Sequence, residues 1–165
     1  MQIKDHVFLV TGAASGLGAA VVSLLVKEQG LAVLADLNRD AGKALAQQLG
    51  KAACFAETDV TSEEDGKAAV GRALDVFGHL HGLVNCAGIA PAEKIIGRAG
   101  PHRLDTLLKA ISVNLVGTFN MIRLAAEAIA KEDPGEDGER GVIVNTASIS
   151  ARGQPCPSAT TSKAR

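Results

Sequence analysis

The residues with the clearest chemical purpose are the glycines of TGAASGLG, residues 11–18, which set Gly12, Gly16 and Gly18 at GxxxGxG spacing directly after the apolar run HVFLV. Missing side chains at a strand-to-helix turn let the backbone approach an anion closely. The helix that follows then offers unpaired N–H groups and the positive end of its dipole. Ser15 adds a hydroxyl donor inside the same turn. The ligand suited to such a turn is a pyrophosphate. Asp36 follows a second apolar run, LAVLA, 24 positions after Gly12, close to the spacing at which a carboxylate meets an adenosine ribose. Alone, Asp36 could equally be a loop aspartate or a helix cap. Paired with the glycine turn it reads as an acceptor for the 2′- and 3′-hydroxyls that repels a 2′-phosphate. NAD is therefore expected over NADP, with Arg39 three residues on as a cation that could soften the preference.

These groups need a scaffold, and the remaining pattern supplies one. Short apolar runs (HVFLV, LAVLA, AACFA, LHGLVN, GVIVNT) alternate with helical stretches near residues 17–28, 40–49, 62–77 and 104–131. Five strands with intervening helices read as repeated βαβ units, hence an α/β parallel sheet covered on both faces. Thr61 and Glu64 have the Thr-x-x-Glu spacing of a capping box at the start of the third helix. EDPGEDGERG, residues 132–141, reads as a solvated loop and not a domain linker.

Composition narrows the class. With 165 residues, 47% hydrophobic and 21% charged, the chain has the make-up of one folded domain. A net charge of −1 and the absence of any long Lys/Arg run give no electrostatic reason for a nucleic-acid or membrane partner, so a small molecule is the expected ligand. Lys4 and Asp5 precede only five apolar residues, too short a run for a signal-peptide core or a membrane span. A cytoplasmic location follows as the expectation. Cys54, Cys86 and Cys156 lack metal-ligand spacing, and reduced thiols with no metal site are the reading.

Taken in order, TGAASGLG, Asp36, Asp59-Val60, Asn85-Cys86-Ala87-Gly88, Asn114 and Ser148 resemble the short-chain dehydrogenase/reductase family. DVTSEED, LVNCAGIA, VNLVGTFNMIRL and RGVIVNTAS are similar to its type-2 3-hydroxyacyl-CoA dehydrogenase branch. The resemblance implies a Rossmann-type doubly wound sheet over residues 1–150 and an NAD-dependent exchange of a secondary alcohol with a ketone. The substrate it implies is a 3-hydroxyacyl-CoA or a hydroxysteroid. It also implies that Gly12, Ser15, Gly16, Leu17 and Gly18 hold the pyrophosphate, that Asp36 holds the ribose, and that Asp59 and Val60 flank the adenine. Cys86, Ala87 and Gly88 would line the adenosine side, with Asn85 bracing neighbouring strands. Asn114 would bend its helix and hold a water of the proton relay, and Ser148 would position the substrate carbonyl. From the residues alone, Asp59 could simply introduce the third helix, Cys86 could be a small buried hydrophobe, Asn114 an exposed amide, and Ser148 a serine ending a strand.

The family's proton donor is a tyrosine four residues before a lysine that lowers its pKa and binds the nicotinamide ribose. This chain contains no tyrosine. Lys163 resembles the lysine, but Ala159 stands four residues before it, and counting from Ser148 leads instead to Thr161 and Arg165. Pro155, Cys156 and Pro157 oppose the start of the helix that should carry the pair. Residues 151–165 are thus expected to be an irregular tail, and the chain to be truncated or altered after Ser148. By comparison with the family, the sheet would then be incomplete at its C-terminal side, with an open edge, unpartnered apolar helix faces and reduced surface for the family's homotetramer. The alternative function is an inactive NAD-binding fragment. The animal relatives of the branch work in mitochondria, so that compartment is the expectation for a eukaryotic source.

Overall fold

The structure is a computed structural model that describes residues 2–97, 100–135 and 137–148; the proposed tail of residues 151–165 and Lys163 lie outside them. Five parallel strands form one sheet: β1 (Val7–Thr11), β2 (Leu31–Asp36), β3 (Ala53–Glu57), β4 (Gly82–Asn85) and β7 (Val142–Asn145), in the order β3-β2-β1-β4-β7. Helices α1 (Gly16–Lys27), α2 (Arg39–Leu49) and α3 (Glu63–Phe77) connect the first four. A two-stranded hairpin of β5 (Ile96–Gly97) and β6 (Gly100–Pro101) precedes a long helical segment made of α4 (Leu104–Ile111), a π-helical turn (Ser112–Gly117) and α5 (Thr118–Ile129).

Every residue of β1 is buried, as a central parallel strand requires, and its two-residue period divides the core. Val7 and Leu9 pack with Val33, Leu83, Ala69, Met121 and Leu124 beneath α3 and α5. Phe8 and Val10 pack with Val22, Leu25, Leu34 and Val84 beneath α1 and α2. Leu9 is in register with Val33 on one side and Leu83 on the other. The chain runs outward from β1 to β3, then crosses back through α3 to β4 on the other flank. That reversal opens a crevice at the carboxyl ends of β1 and β4, the place where doubly wound sheets bind ligands.

The cap of α3 differs from the expected Thr61–Glu64 box. Ser62 is the cap, its hydroxyl accepting from Asp65 N–H at 3.2 Å. Thr61 is drawn the other way, its N–H and hydroxyl both donating to Asp59 Oδ1 at 2.9 and 2.7 Å. The competing turn at Asp59 decides the register of the cap.

The segment Leu104–Ile129 has the length and hydropathy of a membrane span by composition. Its second half nevertheless buries Met121, Leu124, Ala125 and Ala128 in the core of the sheet. On its first half Leu104, Leu107, Leu108 and Ile111 are exposed. β7 is the sheet edge among the described residues, with Val142 and Val144 partly exposed.

Candidate functional site

The crevice at the carboxyl edge encloses about 500 Å³ and is lined by Gly12 and Ser15–Gly18, by Asp36, by Asp59 and Val60, and by Cys86–Gly88. Eleven of the twelve residues expected to contact a cofactor therefore border one cavity. The twelfth, Asn85, is buried behind it.

Two glycines shape the floor. Gly12 has φ +64°, and a Cβ there would lie 2.8 Å from the Ala87 Cα; a Cβ on Gly18 would collide with the Gly12 carbonyl. The turn can be this tight only without side chains. Ser15 is the N-cap of α1, with extended backbone and a side chain that makes no capping bond, so its hydroxyl and the first-turn N–H groups remain available at the cavity wall. The residues thus fit a pyrophosphate: backbone donors, a hydroxyl, and the backbone close enough to reach.

Asp36 is anchored at the neighbouring corner. Its Oδ2 accepts from Ala14 N–H at 2.9 Å and its Oδ1 from Asn38 N–H at 2.8 Å. Each oxygen keeps a lone pair for a further donor, as a ribose diol requires. Arg39, the cation flagged as a possible softener, is directed to Glu57 on β3 at 3.7 Å.

Behind the cavity a polar ladder joins the ends of three strands. The Thr11 hydroxyl donates to Asn85 Oδ1 at 3.3 Å and accepts from the N–H groups of Cys86 and Ala87 at 3.2 and 3.1 Å. Asn85 Nδ2 donates to Asn145 Oδ1 at 2.9 Å. Thr11 and Asn145 were not expected as site residues, yet each is the polar last residue of an apolar strand, a signal readable in VFLVT and VIVN. Leu37, Thr58, Ile89, Lys109 and Val113 also line the cavity; Lys109 and Val113 sit on the long helical segment, whose approach no local pattern announces.

Asn114 lies in the π-helical turn and binds the backbone of Ile89 twice, accepting from its N–H and donating to its carbonyl. Val60 is held through its carbonyl, which accepts from the buried Asn120 Nδ2 at 2.9 Å. Ser148 is exposed, three residues beyond β7; the chain leading to it is tied to the ladder by Thr146, whose hydroxyl donates to the Asn85 carbonyl at 2.9 Å. Neither Asn114 nor Ser148 borders the crevice. Burial pushes the Cys86 thiol up from its ordinary pKa, so at neutral pH this wall of the cavity is uncharged.

With this geometry in view, comparison places the chain. Residues 6–164 match the model of the short chain dehydrogenase family, and the chain belongs to that family. It is 48% identical over 152 residues to 3-hydroxyacyl-CoA dehydrogenase type-2 of Drosophila melanogaster, and 44% identical to the human protein of the same name. These alignments cover 91% of this chain, but only 60% and 58% of the relatives. The crystal structure of 3-hydroxyacyl-CoA dehydrogenase type-2 from Mycobacterium avium superposes with a TM-score of 0.85 at 39% identity, over 92% of this chain and 61% of that one. Ipsdienol dehydrogenase of Ips pini is 34% identical.

Proposed function

We propose that these residues form the NAD-binding part of an oxidoreductase that interconverts a secondary alcohol and a ketone, with 3-hydroxyacyl-CoA and 3-ketoacyl-CoA as the substrate pair. The observation that carries this reading is the Asp36 carboxylate, fixed by two backbone N–H groups beside a glycine turn with no room for side chains. Bound NAD supplies the hydride acceptor. Gly12, Ser15, Gly16 and Gly18 hold its pyrophosphate, Leu17 covers it, Asp36 accepts from its ribose, and Asp59, Val60 and Cys86 to Gly88 border its adenosine. Asn114 positions the loop that carries Ile89, and Ser148 orients the substrate oxygen.

A second reading rests on one observation: the 165 residues contain no tyrosine. A phenol beside a lysine can exchange a proton near neutrality, which a serine hydroxyl alone does poorly. In this reading the chain binds NAD without turnover. Titration with NADH, followed by acetoacetyl-CoA under the same conditions, tests both. Saturable NADH binding is expected from either reading, and its absence overturns both. Oxidation of NADH by acetoacetyl-CoA excludes the second; binding without oxidation leaves the chain as a cofactor-binding module.

A further inference from the structure

Three imidazoles gather at the amino-terminal edge of the sheet, opposite the crevice. His6 immediately precedes β1, and His79 and His81 flank Leu80 ahead of β4. The His81 ring lies edge-on to His6 at a centroid distance of 4.4 Å, and 5.4 Å from His79. Their hydrogen bonds differ in direction. His6 Nδ1 is 2.8 Å from the Lys4 carbonyl, and His79 Nδ1 is 2.8 Å from Glu132 Oε2; both partners only accept, so both rings carry their proton at Nδ1. His81 is reversed: its Nδ1 accepts from the Val7 N–H at 3.1 Å, which puts its proton at Nε2. The His81 backbone adds a donation to the Val7 carbonyl and an acceptance from the Val142 N–H, each at 2.9 Å. One residue therefore joins the first residues of β1 and β7 to the approach of β4.

Ligand atoms of His79, His81 and Glu132 lie within 4.8 Å of one another, a grouping that could surround a divalent ion. The His81 tautomer opposes it. A metal at Nε2 needs the proton moved to Nδ1, where the Val7 N–H already points, and donor would meet donor. A proton produces the same conflict with no ion required.

We propose that this cluster is an acid-operated latch, in which neutral His81 closes the start of β1 onto β4 and protonated His81 releases it. Facing His81 are Glu132, three residues beyond α5, His6 with Lys4 and Asp5 from the turn before β1, and His79. Asp133, Asp137, Glu139 and Arg140, from the segment entering β7, line the same cavity of about 620 Å³. Beyond His79 and Glu132, Lys67, Glu127 and Lys131 border the adjoining cleft. Carboxylates in this set favour a charged ring, Glu132 above all. Burial of His81, followed by its repulsion from His6 and His79, outweighs them and holds it below the ordinary histidine range. As the unfolded chain protonates this residue before the folded one does, the contribution to stability is complete above about pH 6.5 and declines as the pH falls from there toward the folded value.

Amide hydrogen exchange of the full chain at about pH 7.5 and about pH 5.5, each rate corrected for its intrinsic value, tests the latch. Val7, His81 and Val142 are expected to lose protection by about tenfold at the lower pH while Leu9 and Leu83 keep theirs. His81→Asn places an amide oxygen where Nδ1 sits, so it accepts from Val7 without titrating and should abolish the pH-dependent part. Equal protection of Val7 at both pH values overturns the proposal, as does an unchanged pH dependence in His81→Asn. Should that variant not fold, the ring-carbon NMR titration of wild-type His81 decides: it must titrate below the ordinary histidine value, and titration at or above that value refutes the latch.

Discussion

Asn114 grips Ile89 by both of its backbone polar groups: its Oδ1 accepts from the Ile89 N–H and its Nδ2 donates to the Ile89 carbonyl, each at 2.8 Å. A primary amide carries its acceptor and its donor on separate atoms, so one side chain meets a backbone N–H and a backbone carbonyl side by side. It fastens the loop after β4, one wall of the crevice, to the helical segment on the other side.

Replacing Asn114 by alanine should cost about 1–2 kcal/mol of stability, the net value of two partly exposed hydrogen bonds. Asn114→Asp keeps the acceptor and loses the donor, so it should fall between alanine and wild type in urea denaturation. NADH affinity should weaken in the same order, since the loop that bears Cys86 to Ile89 loses its tether. An alanine variant with wild-type stability and affinity would show that the tether is idle.

Gly12 and Gly50 both have positive φ, +64° and +69°, but only Gly12 has atoms where a Cβ would go. Gly50→Ala tests the backbone penalty alone and should cost somewhat more than about 1 kcal/mol. Gly12→Ala adds a forced shift of Ala87, and should cost about 3 kcal/mol or more. Equal losses in chemical denaturation would mean that the close approach to Ala87 relaxes without cost.

Arg39 is held at 3.7 Å by Glu57, and both are more than half exposed. Glu57→Gln should free the guanidinium for a 2′-phosphate and tighten NADPH binding by a factor of about two to five, the range for a screened pair. NADH affinity should stay unchanged. Asp36→Asn should do the opposite to NADH, weakening it by about tenfold, because one of the two anchoring N–H groups then faces an amide donor. Fluorescence titrations with both nucleotides read these shifts, and equal changes for NADH and NADPH in Glu57→Gln would refute the role given to Arg39.

Burial raises the thiol pKa of Cys54, against the lowering effect of Arg72, and raises that of Cys86. Both should alkylate slowly at neutral pH and faster as the pH rises above the ordinary thiol value. NADH should slow Cys86, which borders the crevice, and leave Cys54 unaffected; peptide mapping by mass spectrometry separates the two. Loss of NADH protection at Cys86 would move the nucleotide away from this wall.

Much of this was open to sequence reading because parallel strands and glycine turns are local. VFLVT has to be a central strand once its neighbours are apolar on both faces, and Gly12, Gly18 and Asp36 are set by chain direction alone. The cap of α3 was misplaced by one residue because Thr61 and Ser62 are equally good caps in isolation. The choice between them is made by Asp59, whose carboxylate engages Thr61. Lys109 and Val113 at the crevice, the Thr11–Asn85–Asn145 ladder, and the histidine cluster depend on which elements meet, with partners up to 76 positions apart. Periodicity carries no such information.

The π-helical turn at Ser112–Gly117 also separates two stripes on one continuous rod. An α-helix advances about 100° per residue, so the one extra residue accommodated in a π-turn offsets everything that follows by about that angle. Before the turn the leucines are left exposed; after it Met121, Leu124 and Ala128 are aimed at the sheet. The phase between the two stripes is therefore set by that one extra residue and not by the identity of the exposed leucines. Deleting one residue between Ser112 and Gly117 would let the turn close to plain α-helix with Met121, Leu124 and Ala128 still facing the sheet, while Asn114 would lose its place opposite Ile89, so that a single missing codon would be felt at the crevice and not in the hydrophobic layer.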